Sequence, residues 1–235
     1  MVFAFLLAGC DSSSSTPTSP SGSLQITAPR IVLRAGDTQT LTVSGVSTSP
    51  VTWTSSDNSV VSVSASGLAT AGRAGAATIT ATSGGASGSL SLRVASNYQG
   101  TWTGGLNRLQ LTCATGSTSP PCVSGASTTG TVTLRVEQIG DQVTATLVDS
   151  AEPSVQVPLV GQVQTDDQLA LAGRLDVPAT TPTLRVEVAS LRAGIDVTPG
   201  SLNGTYQWLV DRAPASGGSL QSDYRAQVQF RNLTR

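Results

Sequence analysis

Apolar and polar residues alternate with a period of two along most of this chain, in runs separated by turn residues. That period belongs to half-buried β-strands. Between Leu24 and Val94 the runs are short and recur about every 8–12 residues, the spacing of a small sandwich. Ile26 opens the first and Ile31–Leu33 form the second, before Ala35-Gly36-Asp37 turns the chain. Leu41 with Val43, Val51 with Trp53, and Val61 with Val63 each occupy alternate positions. Leu68, Ile79, Ala81, Leu90, Leu92 and Val94 complete the inward set. Trp53 is the one large side chain available there, and the pattern predicts it at the centre between the sheets.

From residue 98 onward the alternating runs lengthen. Val132, Leu134 and Val136 share one strand face, Gly140-Asp141 makes a tight turn, and Val143, Ala145 and Leu147 return. Val155–Val163 and Leu169–Leu175 follow, with Gly161 and Gly173 as expected bends. Leu184, Val186 and Val188 line another strand; Leu202, Tyr206, Trp208 and Val210 share a parity, as do Tyr224, Ala226, Val228 and Phe230. Eight or nine strands joined by short turns form a meander, which tends to close on itself and so remove its edges. The expected architecture is all-β: a sandwich over 24–95, then a second antiparallel domain over 98–235. An up-and-down barrel of eight to nine strands is favoured for it over a second sandwich.

Composition narrows the chemistry. All 13 basic residues are Arg, and the chain has no His and no Lys. A His-based triad, an imidazole metal site, a Lys Schiff base and a P-loop are thereby excluded. A net charge of -1 without a basic block argues against nucleic acid as a partner. No cofactor and no metal are expected. Asp37 and Asp57 lack the spaced acids of a calcium loop, and Asp57 with Asn58 reads as a turn. Among carboxylate pairs, Asp166-Asp167 resembles a hairpin turn, while Glu137 with Glu187 would have to meet from distant strands. These two are expected on solvated faces beside Arg135 and Arg185, in cross-strand ion pairs. A non-catalytic protein is the reading.

Specific residues carry a family resemblance in the first domain. Gly36-Asp37, Leu41, Trp53, Ser55, Ser56, Asp57, Val61, Val63, Gly67, Ala74, Gly75, Ile79 and Ala81 match the pattern of the bacterial immunoglobulin-like domain of group 2. About 70 residues resemble that family. The resemblance implies an Ig-like sandwich in a surface or secreted setting, as a spacer or adhesive unit, and supplies no catalytic residue. Gly67 and Gly75 are expected where the backbone needs positive φ or close approach.

At the N-terminus, an apolar run from Val2 to Ala8 is far too short to span a bilayer. Leu7-Ala8-Gly9-Cys10 resembles the bacterial lipobox, which implies a signal peptide over 1–9 and a lipid on Cys10. No basic residue precedes the run, a departure from that pattern that places the expected natural start upstream. Residues 10–23, rich in Ser and Pro, then read as a flexible tether. The implied setting is the cell envelope: the outer membrane or the periplasmic face of the inner membrane, with a protein or polysaccharide partner at the surface.

Once Cys10 is acylated, Cys113 and Cys122 are the remaining thiols, and a disulfide between them is expected in that compartment. Gly100-Thr101-Trp102 resembles the Gly-x-Trp that opens lipocalin-like and avidin-like barrels. That resemblance implies an Arg of the last strand, Arg225 or Arg231, stacked on Trp102; on its own terms Trp102 reads as the core anchor of the domain. A hollow barrel would offer an apolar pocket lined by Tyr206, Trp208 and Tyr224 and make the protein a small-ligand carrier. A barrel filled by side chains would not.

Overall fold

The computed structural model describes residues 23–45, 49–114, 124–177, 184–196, 200–213 and 218–235. All their regular elements are β-strands. In the first domain β2 (Val32–Arg34) pairs parallel with β9 (Ala86–Ala95). Beyond β9 lie β8 (Gly75–Ser83) and β5 (Thr52–Ser55), giving a four-stranded sheet in the order β2-β9-β8-β5. A three-stranded sheet holds β3 (Thr38–Thr40), β7 (Leu68–Ala71) and β6 (Val61–Val63), while β1 (Gln25–Thr27) pairs with β4 (Thr42–Ser44). Leu33, Val61, Ile79, Ala81 and Leu92 are wholly buried in the core.

Two expectations about this core need correction. Trp53 is half-buried and packs against the core from its margin, because β5 is an edge strand of its sheet. Its indole covers Gly67, where φ is +83° and an added Cβ would come within 2.9 Å of the Leu41 carbonyl oxygen and 3.2 Å of the ring. Glycine is therefore required there on both conformational and steric grounds. Leu68, the next residue, points outward with Ala69 and Ala71 inward, so the inward parity of β7 is shifted by one from the expected one. Asp57 does form the expected turn. It accepts from the Ser59 N–H at 2.9 Å and pairs with Arg73, and the Ser59 hydrogen bonds hold its carboxyl below the usual range.

The second domain is a closed, antiparallel eight-stranded barrel: β10 (Gly100–Cys113), β11 (Thr128–Ile139), β12 (Gln142–Asp149), β13 (Val157–Val163), β14 (Leu169–Val177), β15 (Leu184–Asp196), β16 (Ser201–Arg212) and β17 (Gln221–Leu233). Each strand pairs with the next, and β17 returns to β10 with Leu106 opposite Phe230. The two-residue turn Gly140-Asp141 joins β11 to β12 as the alternation predicts. Gly161 and Gly173 mark close approaches between strands: a Cβ on either would lie about 2 Å from a carbonyl oxygen of the neighbouring strand. The β14–β15 register also shifts between Leu171 and Gly173.

Trp102 is wholly buried and donates from Nε1 to the Tyr98 carbonyl at 2.7 Å, the role of a core anchor. The cation over its ring is Arg235, at 4.8 Å, and neither Arg225 nor Arg231. Past β17 the chain continues alongside β10, Thr234 bridging to Thr103, and this carries Arg235 back over Trp102. Arg225 instead pairs with Asp211.

Between the domains runs a short linker, Ser96–Gln99, anchored at both ends. Ala95 and Tyr98 are buried in the barrel's core cluster. The Asp167 carboxylate accepts from the Ser96 N–H at 2.8 Å and from its hydroxyl, and the Tyr98 hydroxyl donates to the Asp167 carbonyl at 2.6 Å. Asp167 sits at φ 63° in the β13–β14 turn, so the turn predicted at Asp166-Asp167 also receives the linker. Arg93 of β9 reaches the barrel: it donates to Asp141 at 2.9 Å and to the carbonyls of Val163 and Gln164 at 3.1 and 3.2 Å. The buried Gln138 side chain accepts from the Tyr98 N–H at 2.8 Å and donates to the Ser96 carbonyl at 2.9 Å. Two partly buried ion-pair partners and a satisfied buried amide thus clamp the Ig-like domain to one end of the barrel.

Candidate functional site at the far end of the barrel

The end away from the Ig-like domain is where β10, β12, β14 and β16 finish and β11, β13, β15 and β17 begin. Near it the apolar interior gives way to a polar layer. Arg108 shares the inward parity of Trp102 and Leu106, and Asp149 that of Val143, Ala145 and Leu147. Both are buried, and their side chains form an ion pair. The Tyr206 hydroxyl donates to Asp149 Oδ2 at 2.7 Å, and the Ala151 N–H donates to Oδ1 at 2.8 Å. Arg108 also donates to the Thr129 carbonyl and to Ser150 Oγ, each at 3.3 Å. Gly130 makes room for it: a Cβ there would lie 2.6 Å from the guanidinium.

The electrostatics of this layer follow from desolvation. Burial drives the Tyr206 hydroxyl well above its ordinary range, reinforced by the Asp149 charge, so the phenol stays a donor. Burial likewise pushes Tyr224 up to about 12, with Arg108 opposing and Asp149 and Glu152 reinforcing. At the rim, Arg212 bridges Glu152 and Asp223. Burial raises the Glu152 carboxyl and Arg212 opposes the rise. Asp149 accepts from a guanidinium, a phenol and a backbone N–H, which makes it a satisfied anchor rather than a free base.

The three residues expected to line a pocket all face inward, and all are buried: Tyr206, Trp208 and Tyr224. Tyr206 sets its ring edge to Trp208 at 6.3 Å and tilts against Phe230 at 6.1 Å, so aromatic side chains fill this part of the interior. Two acids, Asp149 and Asp223, are also buried, which the apolar residues of the alternation did not by themselves single out. The alternation itself held the signal, since Arg108, Gly130 and Asp149 each stand at an inward position of an otherwise apolar strand.

Glu137 and Glu187 are not brought together. They lie on β11 and β15, opposite walls of an eight-stranded ring, at outward positions. Neither forms the expected ion pair. Arg185 pairs with Asp176, the residue opposite it in the β14–β15 register. Asp37 is held by Arg34 at 3.0 Å, and the described residues contain no metal-binding cluster. Cys113 ends β10, its N–H donating to Ser124 Oγ at 3.2 Å. Cys122, Cys10, the expected signal peptide and the tether up to residue 22 lie outside the described residues.

No curated protein matches the chain. Residues 22–94 match the family model of the bacterial Ig-like domain (group 2), and that stretch of the chain is a domain of this family.

Proposed function

We propose that the chain is a non-catalytic lipoprotein of the bacterial cell envelope, with Cys10 acylated and the Ig-like domain serving as a spacer or adhesive unit that displays the barrel. The observation that carries this reading is the serial order of the parts. The chain enters the Ig-like domain at Ser23, bridged to Ser87 near the start of β9, and leaves it at Ala95, eight residues further along β9, directly into the barrel. At about 3.3 Å per strand residue, entry and exit are roughly 26 Å apart. The far rim of the barrel is therefore the part most distant from the tether. Extracytoplasmic placement also fits a Cys113–Cys122 disulfide at that rim.

The test is replacement of Cys10 by Ser in the full chain expressed in a bacterium, with intact-mass analysis and membrane fractionation. Loss of a diacylglycerol-sized mass and release from the membrane are expected. Unchanged acylation and partitioning would refute the reading. A second reading, a small-ligand carrier, has one observation in its favour: the buried donors Arg108 Nε and Trp208 Nε1 have no acceptor among the described residues. Native mass spectrometry of the purified protein would reveal a retained ligand, and its absence would count against this reading.

A further inference from the structure

Where the Ig-like domain meets the barrel, a cleft of about 950 Å³ opens on the outer wall of β11, β12 and β13. Its floor is a cross-strand array. Glu137, Thr144 and Val160 stand opposite one another in one row, and Ile139, Gln142 and Gln162 in the next. Arg30, Arg34 and Asp37 of the Ig-like domain line the cleft from the other side, Arg34 paired with Asp37 and Arg30 left as the unpaired cation. Ile139 and Val160 are 69% and 66% exposed, the two most exposed large apolar side chains of the described residues. The next, Ile31 at 62%, adjoins Arg30. Ile139 and Val160 both line the cleft, so the two most exposed aliphatics stand at one place.

The polar groups of the cleft have spare capacity. Among the described residues the side chains of Arg30 and Glu137 make no ion pair, whereas Arg34 is already paired with Asp37. Gln162 and Gln99 make no side-chain hydrogen bond among the described residues. A carboxamide offers both a donor and an acceptor, the pair that a peptide backbone needs. No aromatic ring lines the cleft, so it lacks the stacking platform that a sugar ring uses. The clamp fixes its width, because the β11–β12 turn gripped by Arg93 through Asp141 also carries Ile139 and Gln142. A cleft held open in advance does not charge its occupant the ordering cost of forming it.

We propose that this cleft binds an extended peptide segment in which an aliphatic residue lies beside an acidic one. The aliphatic side chain rests against the exposed Ile139 or Val160, the carboxylate meets Arg30, and the backbone amides meet Gln142 and Gln162. Glu137 disfavours a second acid on the barrel side. Volume and position match those of ligand sites at domain interfaces. The inference is independent of lipid anchoring: loss of acylation at Cys10 would leave it intact.

The experiment is a positional-scanning hexapeptide array probed with the full chain and with its Arg30→Glu and Ile139→Asp variants, alongside a glycan array. All substituted side chains are solvent-exposed, and circular dichroism checks that each variant folds. Wild type should enrich peptides that pair an aliphatic with an acidic residue. Arg30→Glu should switch the acidic preference to a basic one, and Ile139→Asp should weaken binding at least tenfold. Absence of any enriched peptide, enrichment unchanged in both variants, or binding to glycans that these substitutions abolish would overturn the proposal.

Discussion

Substituting Asp149 by Leu should cost the barrel about 3–5 kcal/mol, because it leaves the Arg108 guanidinium buried without a counter-charge. The side chains of Arg108 and Asp149 are 5% and 0% exposed, so water cannot replace the missing carboxylate. Tyr206→Phe removes only the phenol donor to that carboxylate and should cost about 1.5–3 kcal/mol, the usual range for a hydrogen bond to a charged group. The double variant Arg108→Met/Asp149→Leu removes both charges and should recover the part of the loss that comes from the uncompensated guanidinium. The Ala151 N–H and the Tyr206 hydroxyl, which both donate to Asp149, lose that acceptor in single and double alike and set a residual deficit. Denaturant unfolding followed by tryptophan fluorescence measures this, best in a Trp53→Phe background, which leaves only Trp102 and Trp208 in the barrel as reporters. A loss below about 1 kcal/mol for Asp149→Leu, or a double variant as unstable as the single, would refute the account of a desolvated pair.

Three further outcomes are expected. The only tyrosines of the chain, Tyr98, Tyr206 and Tyr224, all have hydroxyls raised by burial above their ordinary value of 10. The unfolded chain therefore loses its phenolic protons first, and stability falls as pH rises past about 10; an ultraviolet titration showing three phenolates at pH 10 in folded protein would contradict this. Asp167→Ala removes both acceptors of Ser96, so the Ser96 amide should exchange at least tenfold faster while amides of the β12–β13 ladder keep their rates, as hydrogen exchange by NMR would show; unchanged Ser96 protection would mean that the clamp does not depend on Asp167. With Cys113 and Cys122 joined as proposed, reduction should lower barrel stability by roughly 2–3 kcal/mol; finding both thiols free in unreduced, unfolded protein would remove the basis for that figure.

Period-two alternation determined by itself that both domains are made of strands and where several barrel turns fall, while the resemblance carried by specific residues such as Trp53, Asp57 and Gly67 implied the Ig-like fold from Leu24 onward. Such alternation reports only which side of a strand is buried, and for the barrel that was enough to place Trp102, Tyr206, Trp208 and Tyr224 inside. It misjudged β7, where parity alone could not decide between Leu68 and Ala69, and it misjudged Trp53, because nothing local says that β5 is an edge. Barrel closure, the opposed placement of Glu137 and Glu187, and the return of the chain that brings Arg235 over Trp102 depend on strand order and register. The Arg108–Asp149–Tyr206 layer joins three strands, β10, β12 and β16, and the cleft beside Arg30 joins two domains. Their groups lie tens to a hundred residues apart, and only the folded chain fixes which buried charges meet and which exposed ones are left unpaired.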